Sequence, residues 1–337
     1  MSESNLPAFI TFFQDPDHYD PAVSEVTLVQ THISYVLIAG DFVYKFKKPV
    51  NFGFLDFTSL EKRHHFCQQE LLLNRRLCPD IYLDTVSITC TDAGFDFNGG
   101  GEVVEYAVKM KKMPLGGMMP DVIKAGGVDR LTIDRIVDML VPFYEKADCG
   151  PDIRKFGTAE AVAVNVLENF EQTAGFIDQG ALSKSQFEAI KAYAGAFLEQ
   201  KKLFLDRSQS RVKDCHGDLY SANICLAADK VYIFDCIEFN ERFRFCDVAS
   251  DVAFLAMDLD YQGLFELSDY FIKRFMEKSN DTGLMKMLNF YKCYRAYVRG
   301  KIGLFTAHAP EVDTKTAQAA LDAAKKYFIL AEKYAGN

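Results

Sequence analysis

The chain has no tryptophan and no long hydrophobic run. Its longest stretch without Asp, Glu, Lys or Arg, Val26 to Gly40, is broken by Gln30, Thr31, His32 and Ser34. A membrane-crossing helix needs about 20 mostly apolar residues, so no membrane role is expected. An excess of positive charge is also missing. Lys plus Arg is 38 against 47 Asp plus Glu, a net charge of -9, which argues against sequence-independent binding to nucleic acid or an anionic lipid surface. The nine cysteines, Cys67, Cys78, Cys90, Cys149, Cys215, Cys225, Cys236, Cys246 and Cys293, contain no C-x-x-C pair and are odd in number. They read as reduced thiols serving as small core hydrophobes rather than a zinc site. No G-x-x-x-x-G-K-[ST] phosphate loop occurs. Met1-Ser-Glu-Ser-Asn carries an acid where an export signal carries base, so a cytoplasmic location is expected.

What is present is ordinary globular material: 337 residues, 49% hydrophobic and 25% charged, enough for two domains or one two-lobed unit. The first third reads as strands around one helix. Val26 to Gln30, Ile33 to Ala39 and Phe42 to Phe46 are β-branched and aromatic runs parted by Thr31-His32 and Gly40-Asp41, which suits antiparallel hairpins. A helix is predicted from Ser59 to Leu77, with Thr58 and Glu61 as a capping box and Pro79 beyond its end. Thr85 to Thr89 and Val103 to Met110 read as strands joined through a hairpin tip at Asn98-Gly99-Gly100-Gly101. Pro114, Gly116, Gly117, Pro120, Gly126 and Gly127 then mark a connector, giving a division into 1–113 and 114–337. Beyond it the pattern is helical, over 133–147, 159–173, 184–204, 248–258, 263–279, 284–306 and 313–334. Thr158 and the Ser183/Gln186 pair supply two helix starts. Short strands at Ile224–Leu226 and Val231–Phe234 interrupt it.

The chemically informative segment is His216-Gly217-Asp218-Leu219-Tyr220-Ser221-Ala222-Asn223, followed by Ile233-Phe234-Asp235. If the two short strands pair, Asn223 lies opposite Phe234 and beside Asp235, and facing residues of antiparallel strands are about 5 Å apart. A carboxylate and an amide oxygen there suit a hard cation such as Mg²⁺ shared with substrate phosphates. Asp218, five residues before Asn223, would sit near enough to accept a proton. Each residue alone is ordinary turn chemistry; the combination is what points to function. Phosphates need a counter-charge, and Lys45 offers one mid-strand, whereas Lys47 and Lys48 fall at the expected fraying end. Glu70 has Phe66, Cys67 and Leu73 on its helix face, so its carboxylate needs a buried partner, and Lys45 is the natural one.

These residues resemble the aminoglycoside phosphotransferase family, with its protein-kinase-like fold. The likeness is stronger to the phosphotransferase half of bacterial bifunctional aminoglycoside phosphotransferase/ATP-binding proteins. It runs over nearly the whole chain, through Thr31-His32-Ile33-Ser34, Tyr44-Lys45, Asn51 to Phe57, Glu70-Leu71, His216 to Leu219, Phe234-Asp235 and Asp247 to Asp251. The resemblance implies an α+β, protein-kinase-like bilobal fold, with a small antiparallel-sheet N-lobe bearing one helix and a larger helical C-lobe. It implies that Lys45, held by Glu70, contacts the α- and β-phosphates, and that Asn223 and Asp235 bind Mg²⁺. Asp218 would orient the attacking hydroxyl and take its proton. His216 and Asp251 would support the catalytic loop. Ser34, in the turn that replaces a Gly-rich loop, would contact phosphate, and the backbone of Met110 to Met113, including Lys111 and Met113, would bind adenine. The nucleotide is ATP, with GTP as the other candidate. The P-loop half of those relatives has no counterpart here, so a separate P-loop partner protein is conceivable. Oligomeric state is not readable.

The acceptor is expected to be a small hydroxylated molecule. Asp258 and Asp260 could line a pocket for a cationic acceptor, and Arg295 and Arg299 among Tyr294 and Tyr297 could receive an anion. Solvated helix faces and snorkelling side chains are the usual explanation for both sets. The expected activity is Mg-ATP-dependent phosphotransfer to an alcohol group. A kinase-fold module that binds nucleotide without turnover is the alternative, and a metal-dependent hydrolase fits less well because it leaves Lys45 and Glu70 unexplained.

Overall fold

The computed structural model describes residues 6–114, 116–228, 230–310 and 312–336. They form two compact units. One comprises the residues up to Met118 with Cys225–Glu241, the other Met119–Ile224 with the residues from Arg242 onward.

The first unit is built on six antiparallel strands: β1 (Val26–Gln30), β2 (Ser34–Ala39), β3 (Phe42–Lys47), β4 (Tyr82–Thr91), β5 (Gly94–Phe97) and β6 (Glu102–Lys111). Their order in the sheet is β1-β2-β3-β6-β4-β5. Because side chains alternate across a strand, β3 serves both faces at once. Tyr44 and Phe46 join Leu37, Val86, Ile88 and Ala107 in one core, covered by the short helix α1 (Ala8–Phe12) and Phe13. Val43 points the other way, into a second core of Cys67, Cys78, Ile81, Tyr82, Val108 and Met110, where α2 (Leu60–Asn74) packs. Two sequence expectations change here. The α2 cap is Ser59, which accepts from the Lys62 N–H, while Thr58 instead donates to Asp56. The glycine run joins β5 to β6, because β4 first turns back through Gly94–Phe97, a strand too short and glycine-led to show a period.

The expected hairpin of β8 (Ile224–Leu226) and β9 (Val231–Ile233) is present, closed by an Ala227 N–H bond to the Lys230 carbonyl. It follows β7 (Val212–Asp214), which pairs antiparallel with β10 (Phe245–Asp247) in the second unit.

The rest of the second unit is helical. It contains α3 (Met119–Lys124), α4 (Arg130–Lys146), α5 (Pro151–Arg154), α6 (Ala159–Thr173), α7 (Lys184–Leu198) and α8 (Lys201–Ser208). After the short α9 (Glu241–Arg244) come α10 (Val248–Tyr261), α11 (Phe265–Ser279), α12 (Leu284–Ala307) and α13 (Thr314–Ala335). Start signals read from sequence do cap helices: Thr158 accepts from Ala161, and Ser183 and Gln186 form a complete capping box. The helix expected over 184–204 breaks at Gln200. Leu198 and Phe204, on different faces of one continuous helix, are both buried as a result. At the centre lies α10, with every residue from Val248 to Asp260 buried. Among the described residues no helix is long and apolar enough to cross a membrane.

Candidate active-site groups

In the sheet-bearing unit the Lys45 ammonium lies 2.8 Å from Glu70 Oε1 and 2.6 Å from Asp235 Oδ1. β3 places Lys45, α2 places Glu70, and Asp235 follows β9 in a left-handed backbone conformation, φ +63°. Such a conformation is uncommon for a residue with a side chain and costs energy that its surroundings must offset. Three contacts fix that backbone: Asp235 N–H donates to Tyr82 Oη at 3.3 Å, Cys236 N–H donates to Asn74 Oδ1 at 2.9 Å, and the Cys78 thiol donates to the Ile233 carbonyl at 3.0 Å.

Lys47 overturns one expectation. Far from fraying into solvent, it is 2% exposed and bonds Glu70 Oε2 at 2.8 Å and, very closely, Glu238 Oε1. Lys48 is also buried, donating to the Thr31 carbonyl at 2.7 Å. Sequence carried a faint signal: Lys45 and Lys47 are two apart on a strand and so share a face, the one that Glu70 meets. Burial opposes charge on both ammoniums, but Asp235 and Glu70 hold Lys45 well above the usual lysine range, and Glu238 and Glu70 do the same for Lys47. Burial likewise opposes ionisation of Glu70, yet Lys45 and Lys47 outweigh it and bring its carboxyl down to about 2. Glu238 is pushed up, by burial first and then by Glu70, against the pull of Lys47.

In the helical unit the segment after β7 is a loop fastened to buried side chains. Asp251 on α10 accepts from His216 N–H at 2.7 Å, Gly217 N–H at 2.9 Å and Tyr144 Oη–H at 3.1 Å. Gly217 has φ +88°, a conformation that favours glycine. Asp218 N–H donates to His216 Nδ1 at 3.2 Å, fixing the ring. Asn223 Nδ2 donates to the Asp218 carbonyl and to its Oδ2, both at 2.9 Å. That bond orients the half-exposed Asp218 carboxylate and, with the amide placed this way, turns Asn223 Oδ1 away from it.

Three further supports escaped sequence reading. Arg295 Nη1 donates to the Gly217 carbonyl at 2.9 Å, Asp258 accepts from Ser221 N–H at 3.0 Å, and Tyr144 carries Asp251. Of the helix residues expected as an acceptor pocket or solvated faces, Asp258, Asp260, Arg295 and Tyr297 are buried, and Tyr294 and Arg299 are half-buried. Asp260 is buried against Lys292 at 2.8 Å and Tyr334 at 2.5 Å, Tyr297 bonds Thr173, and the Arg299 guanidinium stacks 4.8 Å from the Tyr220 ring. No period in sequence distinguishes a buried charge with a distant partner from a solvated one.

The structure thus brings Lys45, Glu70 and Asp235 into direct contact, and His216, Asp218, Asn223 and Asp251 into one bonded loop. Ser34, Lys111 and Met113 join neither set by hydrogen bond or ion pair among the described residues. Ser34 is buried with its hydroxyl unbonded, and its N–H donates to Thr31 Oγ1. The N–H groups of Lys111 and Lys112 are taken by the carbonyls of Ile81 and Asp41, and Met113 packs beside the α2 core.

No described family profile matches the chain. Uncharacterized proteins of Mycobacterium tuberculosis and Mycobacterium bovis are 32% identical over 275 residues, covering 81% of this chain and 53% of theirs. The chain therefore spans about half the length of these curated relatives. Among solved structures, an aminoglycoside phosphotransferase of the APH(2″) type in complex with GDP and kanamycin aligns with TM-score 0.55 at 14% identity, over 95% of this chain and 98% of that one. A choline/ethanolamine kinase family protein from Mesorhizobium loti gives 0.51 at 12%, over 93% and 92%. A microcompartment-associated aminopropanol kinase gives 0.50 at 15%, over 96% and 97%. At these identities the likeness shows the fold. It is the α+β protein-kinase-like fold, with its antiparallel-sheet and helical parts as the sequence predicted.

Proposed function

We propose that this chain is a phosphotransferase that moves the γ-phosphoryl group of ATP to a hydroxyl of a small-molecule acceptor, in the manner of the aminoglycoside phosphotransferases. The observation that carries the reading is the Lys45–Glu70–Asp235 contact. A buried carboxylate that fixes an ammonium beside a strand-end aspartate is the arrangement by which protein kinases hold nucleotide phosphates.

A magnesium ion shared with phosphates belongs to the same proposal, with Asp235 and Asn223 as the residues that would hold it. Asp235 offers a carboxylate 43% exposed, and Asn223 would offer the amide oxygen that its Nδ2 bonds to Asp218 leave unused. These are hard oxygen donors and few, which suits Mg²⁺ held jointly with a nucleotide rather than in an all-protein cage. When bound, the ion would supply charge neutralisation to the phosphate oxygens. Lys45 would hold the α- and β-phosphates. Asp218 would accept the proton of the acceptor hydroxyl as its oxygen bonds the γ-phosphorus and the bond to the ADP oxygen breaks. Asn223 holds the Asp218 carboxylate for that task. The turn carrying Ser34 would lie against the phosphates, with Ser34 itself buried and its N–H held by Thr31 Oγ1. Since Lys111 and Lys112 already spend their N–H groups, Met113 N–H would face the adenine.

A separate P-loop partner protein belongs to the same proposal and rests on the family resemblance alone. A cytoplasmic setting with free ATP accords with this reading. The test is ADP release with Mg-ATP across a panel of amino alcohols, amino sugars and aminoglycosides, comparing wild type with Asp218→Ala. Turnover should fall by at least about 10²-fold in the variant, as expected for loss of a general base, while Mg-nucleotide affinity holds. Tight Mg-ATP binding without turnover on any acceptor would favour a silent binding module instead. Equal turnover in both proteins would refute the role of Asp218.

A further inference from the structure

We infer that Lys47 is a positioning residue for the metal-binding segment, acting through Glu238. The inference rests on the reading of Asp235 as a metal ligand. Glu70 gives one carboxylate oxygen to each lysine, Oε1 to Lys45 and Oε2 to Lys47, both at 2.8 Å. Lys45 goes on to Asp235 and Lys47 goes on to Glu238, three residues later in the same segment. The five side chains and the chain from Asp235 to Glu238 make a closed ring.

The two lysines are not equivalent in that ring. The Lys45 side chain is 16% exposed and its Asp235 partner 43%, so a nucleotide phosphate can draw this ammonium away from Asp235. Lys47 has no such freedom. Its side chain is 1% exposed, its ammonium lies 4.9 Å over the Phe57 ring, and Glu238 is nearly as deep at 5%. When Lys45 turns to phosphates, the Lys47–Glu238 bond remains to hold the Asp235–Glu238 segment to β3, beside the Tyr82, Asn74 and Cys78 contacts that fix the Asp235 backbone. A buried ion pair is no more stabilising than a well-packed apolar pair, which makes a geometric role the economical reason for its presence.

Mn²⁺ with ADP provides the probe, read by electron paramagnetic resonance and calorimetry on the full chain. The quantity is the ratio of ADP affinity with Mn²⁺ to that without. Lys47→Met and Glu238→Gln should each lower it roughly tenfold, the scale of an outer partner to a metal ligand. The double variant should lower it no further, because both changes cut one tie. A merely structural pair would shift melting temperature and leave the ratio unmoved, and that outcome overturns the proposal. So does a double variant showing the product of the single losses. Should Lys47→Met not fold, Glu238→Gln decides alone: an unchanged ratio refutes the tie. If wild type shows no metal-dependent ADP binding, it is the phosphotransferase reading that falls, and the inference with it.

Discussion

The two units bury carboxylates for different ends. In the sheet-bearing unit, Glu70 and Glu238 are met by ammoniums on flexible side chains. In the helical unit, Asp251 and Asp258 are met by backbone N–H groups of one loop. The first arrangement sets where charge sits, and its Lys45 arm can exchange partners when a ligand arrives. The second sets the path of the chain and has no spare geometry. A side-chain pair can be re-formed by rotation about several bonds, whereas a bond to a backbone amide constrains the loop itself.

The largest expected effect breaks the second arrangement. Asp251→Ala leaves His216 N–H, Gly217 N–H and the Tyr144 hydroxyl buried without their acceptor. A loss of about 4 kcal/mol is predicted, because each unsatisfied donor carries a desolvation penalty. Urea unfolding measures it, and a loss below about 1 kcal/mol, the net worth of a single hydrogen bond, would show the loop held by other means.

Next comes Glu70→Gln, expected to cost about 3 kcal/mol at neutral pH by leaving two buried ammoniums under-compensated. Its pH dependence sharpens the contrast. The folded-state pKa of Glu70 is depressed from 4.5 to about 2. Its ionised form therefore adds stability fully above pH 4.5, and that contribution disappears as pH falls through about 2. The wild-type advantage over Glu70→Gln in chemical unfolding should shrink across that window. A constant difference would mean that packing, not charge, is what the glutamate supplies.

Arg295→Met should cost about 2 kcal/mol, the loss of a charge-assisted bond to the Gly217 carbonyl. It should also slow turnover more than it weakens nucleotide binding, since it touches the loop that carries Asp218. An effect on nucleotide affinity alone would place Arg295 in the wrong arrangement. The smallest change is expected for Asp258→Asn. The amide keeps an oxygen for Ser221 N–H, and burial already pushes the Asp258 carboxyl upward, so losing its charge relieves desolvation. Stability should move by less than about 1 kcal/mol in either direction. A larger loss would reveal that its charge is used.

Sequence reading reached most of the sheet strands through their β-branched and aromatic runs, several helices through their caps, and the loop that bonds His216, Asp218 and Asn223 through their spacing. Those signals are local, and local backbone geometry explains them. It also reached the Lys45–Glu70 pair, since a carboxylate on an apolar helix face demands a cation. It did not reach Lys47, which looked like a strand end, because its partner Glu238 lies 191 residues away. Arg295 and Asp258 were missed for the same reason, their loop partners being 78 and 37 residues distant.

What the amino-acid order determined by itself was which elements form and which residue types could do phosphoryl chemistry, because periodicity, capping and short spacings act over a few bonds. Which charges are buried was decided only when the chain folded. A lysine becomes internal when a carboxylate from a distant segment compensates its desolvation, and no stretch of sequence around Lys47 or Arg295 contains that carboxylate or carbonyl.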